Sequence, residues 1–248
     1  MNDFYRNFIK KEFPNLKIKY KDESFIYNLN KFNLNTITCY RNTIYFPSKK
    51  FFKENSYEII NEILSHEYVH LHQFKNNKFH LLLTSLPESI GNLLIFLYSI
   101  LIILNYFPSI CIFFLIIGFS IILFPIYPYF RIKSEFDAYK MTILVRITQW
   151  NNKFNLPKSH YNLLTLSDDM LRRIIDTLFS YHYNTAFVPS FIKNYYFNKI
   201  KIWRNACNKI YFQERFAFEN GKMYIYSRNI YLRVLRYFIY NNIKSHVS

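Results

Sequence analysis

His66-Glu67-Tyr68-Val69-His70 is the stretch of this 248-residue chain whose residue types and spacing prescribe a chemistry. On a helix, side chains four apart stand on one face, so the imidazoles of His66 and His70 can share one tetrahedral zinc ion. Glu67, between them, then reaches an activated water as general base. In a chain with 7 histidines, chance placement supplies such an H-E-x-x-H about 0.008 times. The competing reading is a surface helix that carries two histidines and no chemistry.

A hydrolytic zinc site takes three protein ligands and keeps a fourth position open. The best third ligand is Glu135, in Ser134-Glu135-Phe136-Asp137-Ala138-Tyr139. It falls in the first turns of an expected helix, and Ala138 offers a small face where two helices must approach closely. Asp137 points elsewhere on that helix, and His80 and His160 have no spacing to recommend them. His72 stands two residues after His70, on the opposite face, which suits packing better than ligation. Gln73 and Glu62 return to the metal face, where each could orient a ligand or simply meet solvent. A tetrahedral oxyanion needs a further donor. Tyr181, His182, Tyr183 and Arg131 are the candidates, and Tyr139, on the ligand helix itself, could likewise orient a ligand or donate to the oxyanion.

The elements that must position these groups are legible in outline. Ile59, Ile60, Ile63, Leu64 and Val69 recur at helical spacing and predict a helix over about 55–74. Residues 16–27 and 36–47 are β-branched and aromatic, with Asn-rich breaks, and predict two or three antiparallel strands ended by Pro47 and Ser48. Residues 133–150 predict a helix. A further helix over 167–183 starts at Ser167, a good N-cap followed by Asp168 and Asp169. The last amphipathic stretch, 224–240, carries Arg228, Arg233 and Arg236. The expected class is α+β: a small antiparallel sheet on the active-site helix, an apolar helical hairpin, and a mostly helical C-terminal part.

Charge separates the chain into three regions. Of 32 Lys and Arg and 16 Asp and Glu, residues 81–130 hold no base and one acid, Glu88, whereas both flanks are basic. Within that window, 93–107 and 110–124 are uncharged runs of Leu, Ile and Phe around the turn signal Asn105-Tyr-Phe-Pro-Ser109, and Pro125 and Pro128 break the second run. Two such runs predict a transmembrane or re-entrant hairpin, with a hairpin buried in a protein core as the alternative. Two passes return the chain to the starting side, which brings Glu135 back to His66 and His70. The expected organisation is therefore 1–80 (strands and H-E-x-x-H helix), 81–130 (membrane hairpin) and 131–248 (third-ligand helix and basic aromatic region), the first and last forming one unit. Basic flanks around an uncharged tip place the catalytic part on the cytoplasmic side of a membrane.

Composition excludes several classes. Three glycines cannot build a P-loop, a dinucleotide fingerprint or a collagen repeat. Three cysteines without C-x-x-C spacing argue against a disulfide framework or a Cys-ligated zinc. The net charge of +16 invites a nucleic-acid reading. However, abundant Asn, Lys, Ile, Tyr and Phe with scarce Gly and Ala are what AT-rich coding produces, and no RRM, helix-turn-helix or zinc-finger pattern is present.

H-E-x-x-H, an apolar hairpin, and then E-x-x-A resembles the membrane-embedded gluzincin metallopeptidases, the group of the CAAX prenyl-protein endopeptidases and the bacterial heat-shock peptidases. The likeness covers about residues 36–142. It implies His66, His70 and Glu135 as zinc ligands, Glu67 as base, and the strand Thr43–Phe46 as the edge that aligns a peptide. The chain departs from the group at Tyr139, where an Asp is common. The expected function is zinc-dependent hydrolysis of peptide bonds in a peptide or protein substrate at a membrane. The alternatives are a non-catalytic membrane-associated protein with a structural metal site, or binding of anionic lipid or nucleic acid through the basic C-terminal third.

Overall fold

The computed structural model describes residues 3–23, 37–40, 42–76, 110–154, 167–180, 188–219 and 227–247. At the N-terminus a π-helical turn over Tyr5–Ile9 runs into α1 (Lys10–Glu12). Phe4, Tyr5 and Ile9 are fully buried there, and each such apolar side chain contributes about 1.5–3 kcal/mol on leaving water. Then come β1 (Lys17–Tyr20), a 3-10 turn over Lys21–Glu23, β2 (Thr38–Tyr40) and β3 (Thr43–Phe46).

The strands form a sheet of order β1-β3-β2, in which β3 is central, parallel to β1 and antiparallel to β2. The expected all-antiparallel sheet is therefore replaced by a mixed one. Burial explains the order. Ile44 and Phe46 of β3 are fully buried, as a central strand requires. Lys17 and Lys19 are exposed on β1, where charge protects an outer strand from further pairing. Because β3 is hydrogen-bonded on both sides, Thr43–Phe46 is not a free edge, which corrects the peptide-aligning role expected of it.

The rest is helical, so the α+β expectation gives way to a mostly helical fold with a small mixed sheet. Ser48 caps α2 (Lys49–Glu54) by accepting from the Phe51 N–H at 2.9 Å. α3 (Tyr57–Asn76) carries the H-E-x-x-H motif. α4 (Ile110–Phe154) is continuous through Pro125 and Pro128, where breaks were expected. Each proline removes one helical N–H and costs about 3 kcal/mol, a local term that helix on both sides of the pair overrides here. Ser167 caps α5 (Asp168–Leu178) by accepting from Met170 N–H at 3.2 Å. α6 (Ser190–Glu219) follows, and Asn229 caps α7 (Ile230–Val247), its Oδ1 accepting from Tyr231 N–H at 2.9 Å.

Among the described residues no helix is long and apolar enough to cross a membrane. That corrects the membrane hairpin and, with it, the membrane localisation and the cytoplasm-facing orientation. An uncharged apolar run satisfies protein cover as well as lipid, and composition does not separate the two. The first run and the turn before Ile110 lie outside the described residues.

The helices α3 and α4 pack antiparallel, and their cross-contacts read like a ladder. Glu58, Glu62, His66, His70 and Gln73 on α3 meet Gln149, Arg146, Thr142, Glu135 and Ser134 on α4, so partner numbers fall as those on α3 rise. Leu64 and Tyr68 on α3, with Ala138 and Met141 on α4, are fully buried in the shared core. The second half of α4 is held from outside by Trp203 Nε1, which donates to Lys140 O at 2.9 Å, and by the Tyr231 hydroxyl, which donates to Asp137 O at 3.0 Å.

Candidate metal centre

α3 sets His66 and His70 one turn apart, and α4 brings Glu135 to both. His66 Nε2 and His70 Nε2 are 3.3 Å apart, and Glu135 Oε2 lies 3.3 Å from the first and 3.5 Å from the second. Metal–ligand bonds of 2.0–2.1 Å at the tetrahedral angle separate their ligand atoms by about 3.3–3.4 Å. The three donors thus span one face of such a tetrahedron, and the group can hold a metal ion.

The surrounding hydrogen bonds fix which ring nitrogen faces the centre. Gln73 Oε1, an acceptor, lies 2.9 Å from His70 Nδ1, so that nitrogen carries a proton and Nε2 is the ring nitrogen turned to the centre. Gln73 is itself held, its Oε1 accepting from the Ser134 hydroxyl at 2.7 Å and its Nε2 donating to Ser134 O at 3.2 Å. On the other side the Thr142 hydroxyl donates to Ala138 O at 3.3 Å, leaving its oxygen to accept from His66 Nδ1 at 3.3 Å. The Tyr139 ring packs edge-on against His66, with centroids 4.9 Å apart. Glu135 turns its second oxygen, Oε1, to Arg131 Nε at 3.4 Å. Partners of this kind raise ligand basicity and hold orientation.

Electrostatics favours a cation at the centre. Burial opposes ionisation of Glu135, yet the His70 charge and hydrogen bonds from His66 and His70 hold its carboxyl well below the usual range. Burial likewise disfavours a charged His70, but the Glu135 carboxylate lifts it to about 9. Glu67 is 5% exposed, and its Oε2 is buried without a hydrogen-bond partner among the described residues. Burial pushes its carboxyl upward, against the pull of His70 and His66. A buried carboxylate oxygen with open valence beside three convergent donors suits a site built to hold a polar guest.

The remaining expected residues fall elsewhere. Glu62 turns to Arg146, which donates from Nε to both carboxylate oxygens at 2.9 Å and from its NH2 group to Oε2. Asp137 pairs with Lys140 at 3.1 Å, away from the cluster. His72 lies on the far face of α3, where its Nε2 meets Glu12 Oε1 at 3.1 Å and its ring meets Phe13 and Tyr68. Of the arginines of the basic C-terminal third, Arg233 pairs with Glu12 at 2.9 Å and Arg236 with Glu214 at 2.7 Å, while Arg228 is exposed. His80, His160, Tyr181, His182 and Tyr183 lie outside the described residues. Sequence reasoning missed Ser134, Thr142 and Arg146. Thr142 was within reach, being two turns beyond Glu135 on the same face.

No family model, curated protein or solved structure matches the chain.

Proposed function

We propose that the protein is a zinc-dependent hydrolase of peptide bonds, with His66, His70 and Glu135 as ligands and Glu67 as general base. The observation that carries this reading is the pairing of a three-donor face with a buried oxygen of Glu67 that has no hydrogen-bond partner among the described residues. Two imidazoles and a carboxylate suit zinc and leave a coordination position for catalysis. When bound, zinc supplies Lewis acidity, polarising a carbonyl and acidifying water.

The chain's own residues would supply the rest. Glu67 Oε2 takes a proton from the attacking water and later returns it to the leaving amine. Gln73 and Thr142 keep both histidines with Nε2 inward, so the ligand set needs no rearrangement to act. Arg131 holds Glu135 by its outer oxygen and leaves the inner one for the metal.

The test is a comparison of Glu67→Gln with the parent protein. Equal zinc content with hydrolysis of a quenched-fluorescent peptide library lost by about 100-fold or more supports the reading. Unchanged hydrolysis removes Glu67 as the base. A metal held for structure is the second reading, favoured by the low exposure of the cluster, with Glu135 6% exposed. It predicts that removing zinc lowers stability and that no variant alters hydrolysis.

A further inference from the structure

One face of α6 holds the fold, and it is apolar as helix packing requires. Ile200, Cys207 and Tyr211 are fully buried along it, Tyr196 meets Phe136 of α4 with ring centroids 4.8 Å apart, and Trp203 bonds to Lys140 O. At 3.6 residues per turn, Phe191, Tyr195, Ile202 and Phe216 fall on the opposite side. Phe191 and Ile202 are 70% exposed and Tyr195 52%, and Phe216 is exposed as well. Single exposed apolar residues are ordinary, whereas several in one line along a helix mark an interaction surface.

The spacing gives the shape of what fits. Tyr195, Ile202 and Phe216 share one position of a seven-residue repeat, and Phe191, Asn198 and Asn205 share the position four residues before it. Those two positions form the seam that one helix offers another in coiled-coil packing. Asn198, Asn205 and Lys209 are exposed within the same line, and polar groups at seam positions set the register of a helix pair. A bilayer surface has no register to set, and polar groups in the middle of an inserted face weaken its insertion.

Charge narrows the partner further. Between Ser190 and Lys209 the helix carries five bases and no acid. Lys201 and Arg204 share Asp168 of α5, at 2.5 and 2.7 Å, and the exposed Lys199 stands 4.5 Å over the Tyr195 ring, beside the line. A second copy of α6 would set base against base over this stretch in either orientation, with no acid to answer it.

We propose that the outer face of α6 docks an acidic amphipathic helix of a partner protein, its apolar seam on Phe191, Tyr195 and Ile202 and its carboxylates on Lys199 and Lys209. No residue of this face belongs to the metal centre, so the docking holds whether or not the chain hydrolyses peptides.

The test uses the full-length chain and, as probe, a fluorescein-labelled synthetic peptide of about four heptads with Leu at both seam positions and Glu beside them. Fluorescence anisotropy should show one peptide bound per chain. Ile202→Ser should weaken binding about tenfold or more, and so should Lys199→Glu combined with Lys209→Glu. Raising salt from about 0.1 to about 1 M should weaken it too, and the same peptide with Lys in place of Glu should not bind. The substituted side chains are exposed, so the variants keep the parent's fold, which the urea midpoint checks. Absence of binding, or binding that Ile202→Ser leaves unchanged, overturns the proposal. Two further results overturn it by naming another occupant. One is a dimer of the parent by light scattering that Ile202→Ser converts to a monomer. The other is sedimentation with phosphatidylcholine vesicles containing about a quarter phosphatidylserine, lost in Ile202→Ser, in a chain that does not bind the peptide.

Discussion

Arg146 grips both carboxylate oxygens of Glu62, one helical turn before His66. This pair fixes the register between α3 and α4, the two elements that must agree if Glu135 is to meet His66 and His70. The grip is partly buried, with side-chain exposures of 26% for Arg146 and 10% for Glu62. Breaking it from one side should therefore cost about 1–3 kcal/mol, less than a fully buried pair because solvent screens part of the attraction. We expect Arg146→Met to lower the urea midpoint and to weaken zinc binding, and Glu62→Leu combined with Arg146→Met to recover much of the stability. Equal zinc affinity in Arg146→Met would detach the pair from the site.

Gln73 and Thr142 set the histidine tautomers through Nδ1. Gln73→Leu should weaken zinc about 10–100-fold by competition with a chelating dye. Thr142→Val should weaken it less, because its contact with His66 is longer.

Ala138 is fully buried where α3 and α4 pack. Ala138→Leu adds volume at that contact and should destabilise by about 1–3 kcal/mol. Because the helices must part to admit it, zinc affinity should fall along with thermal stability.

Glu12 ties three segments together on the far side of α3. It accepts from the Tyr68 hydroxyl, pairs with Arg233 of α7 at 2.9 Å and meets His72 at 3.1 Å. Burial pushes its carboxyl up, but hydrogen bonds from Tyr68 and Arg233 outweigh this and leave it lowered from 4.5. A carboxyl whose folded value lies below its unfolded one stabilises the fold fully above the unfolded value, and the contribution fades as pH falls through the folded one. Urea unfolding of chelated protein should therefore show Glu12→Gln less stable than the parent at pH 6. The two should converge as the solution is taken below pH 4.5. A gap that stays constant would contradict the assignment.

Local signals were read well from the chain, and non-local ones were not. Helical spacing around Leu64 placed α3, and Ser167 announced α5. The i, i+4 histidines were legible because they lie within one helix, whereas Glu135, which completes a group that can hold a metal, stands on a second helix and was singled out by its Glu-x-x-Ala segment. The mixed sheet was missed because pairing order depends on which strand is buried, and only burial shows that Ile44 and Phe46 are central. The link from Glu12 to Arg233 spans almost the whole chain, so no spacing rule reports it. Reading residues 81–130 as a membrane hairpin failed for the same reason: apolarity states that a segment leaves water and is silent on what covers it.

The most direct measurement of the central claim is zinc affinity, by competition titration, of the parent chain and of Glu135→Ala. If His66, His70 and Glu135 form one centre, the parent binds a single zinc per chain and the variant binds it about 100-fold more weakly or worse. Equal affinity in the two proteins would contradict it.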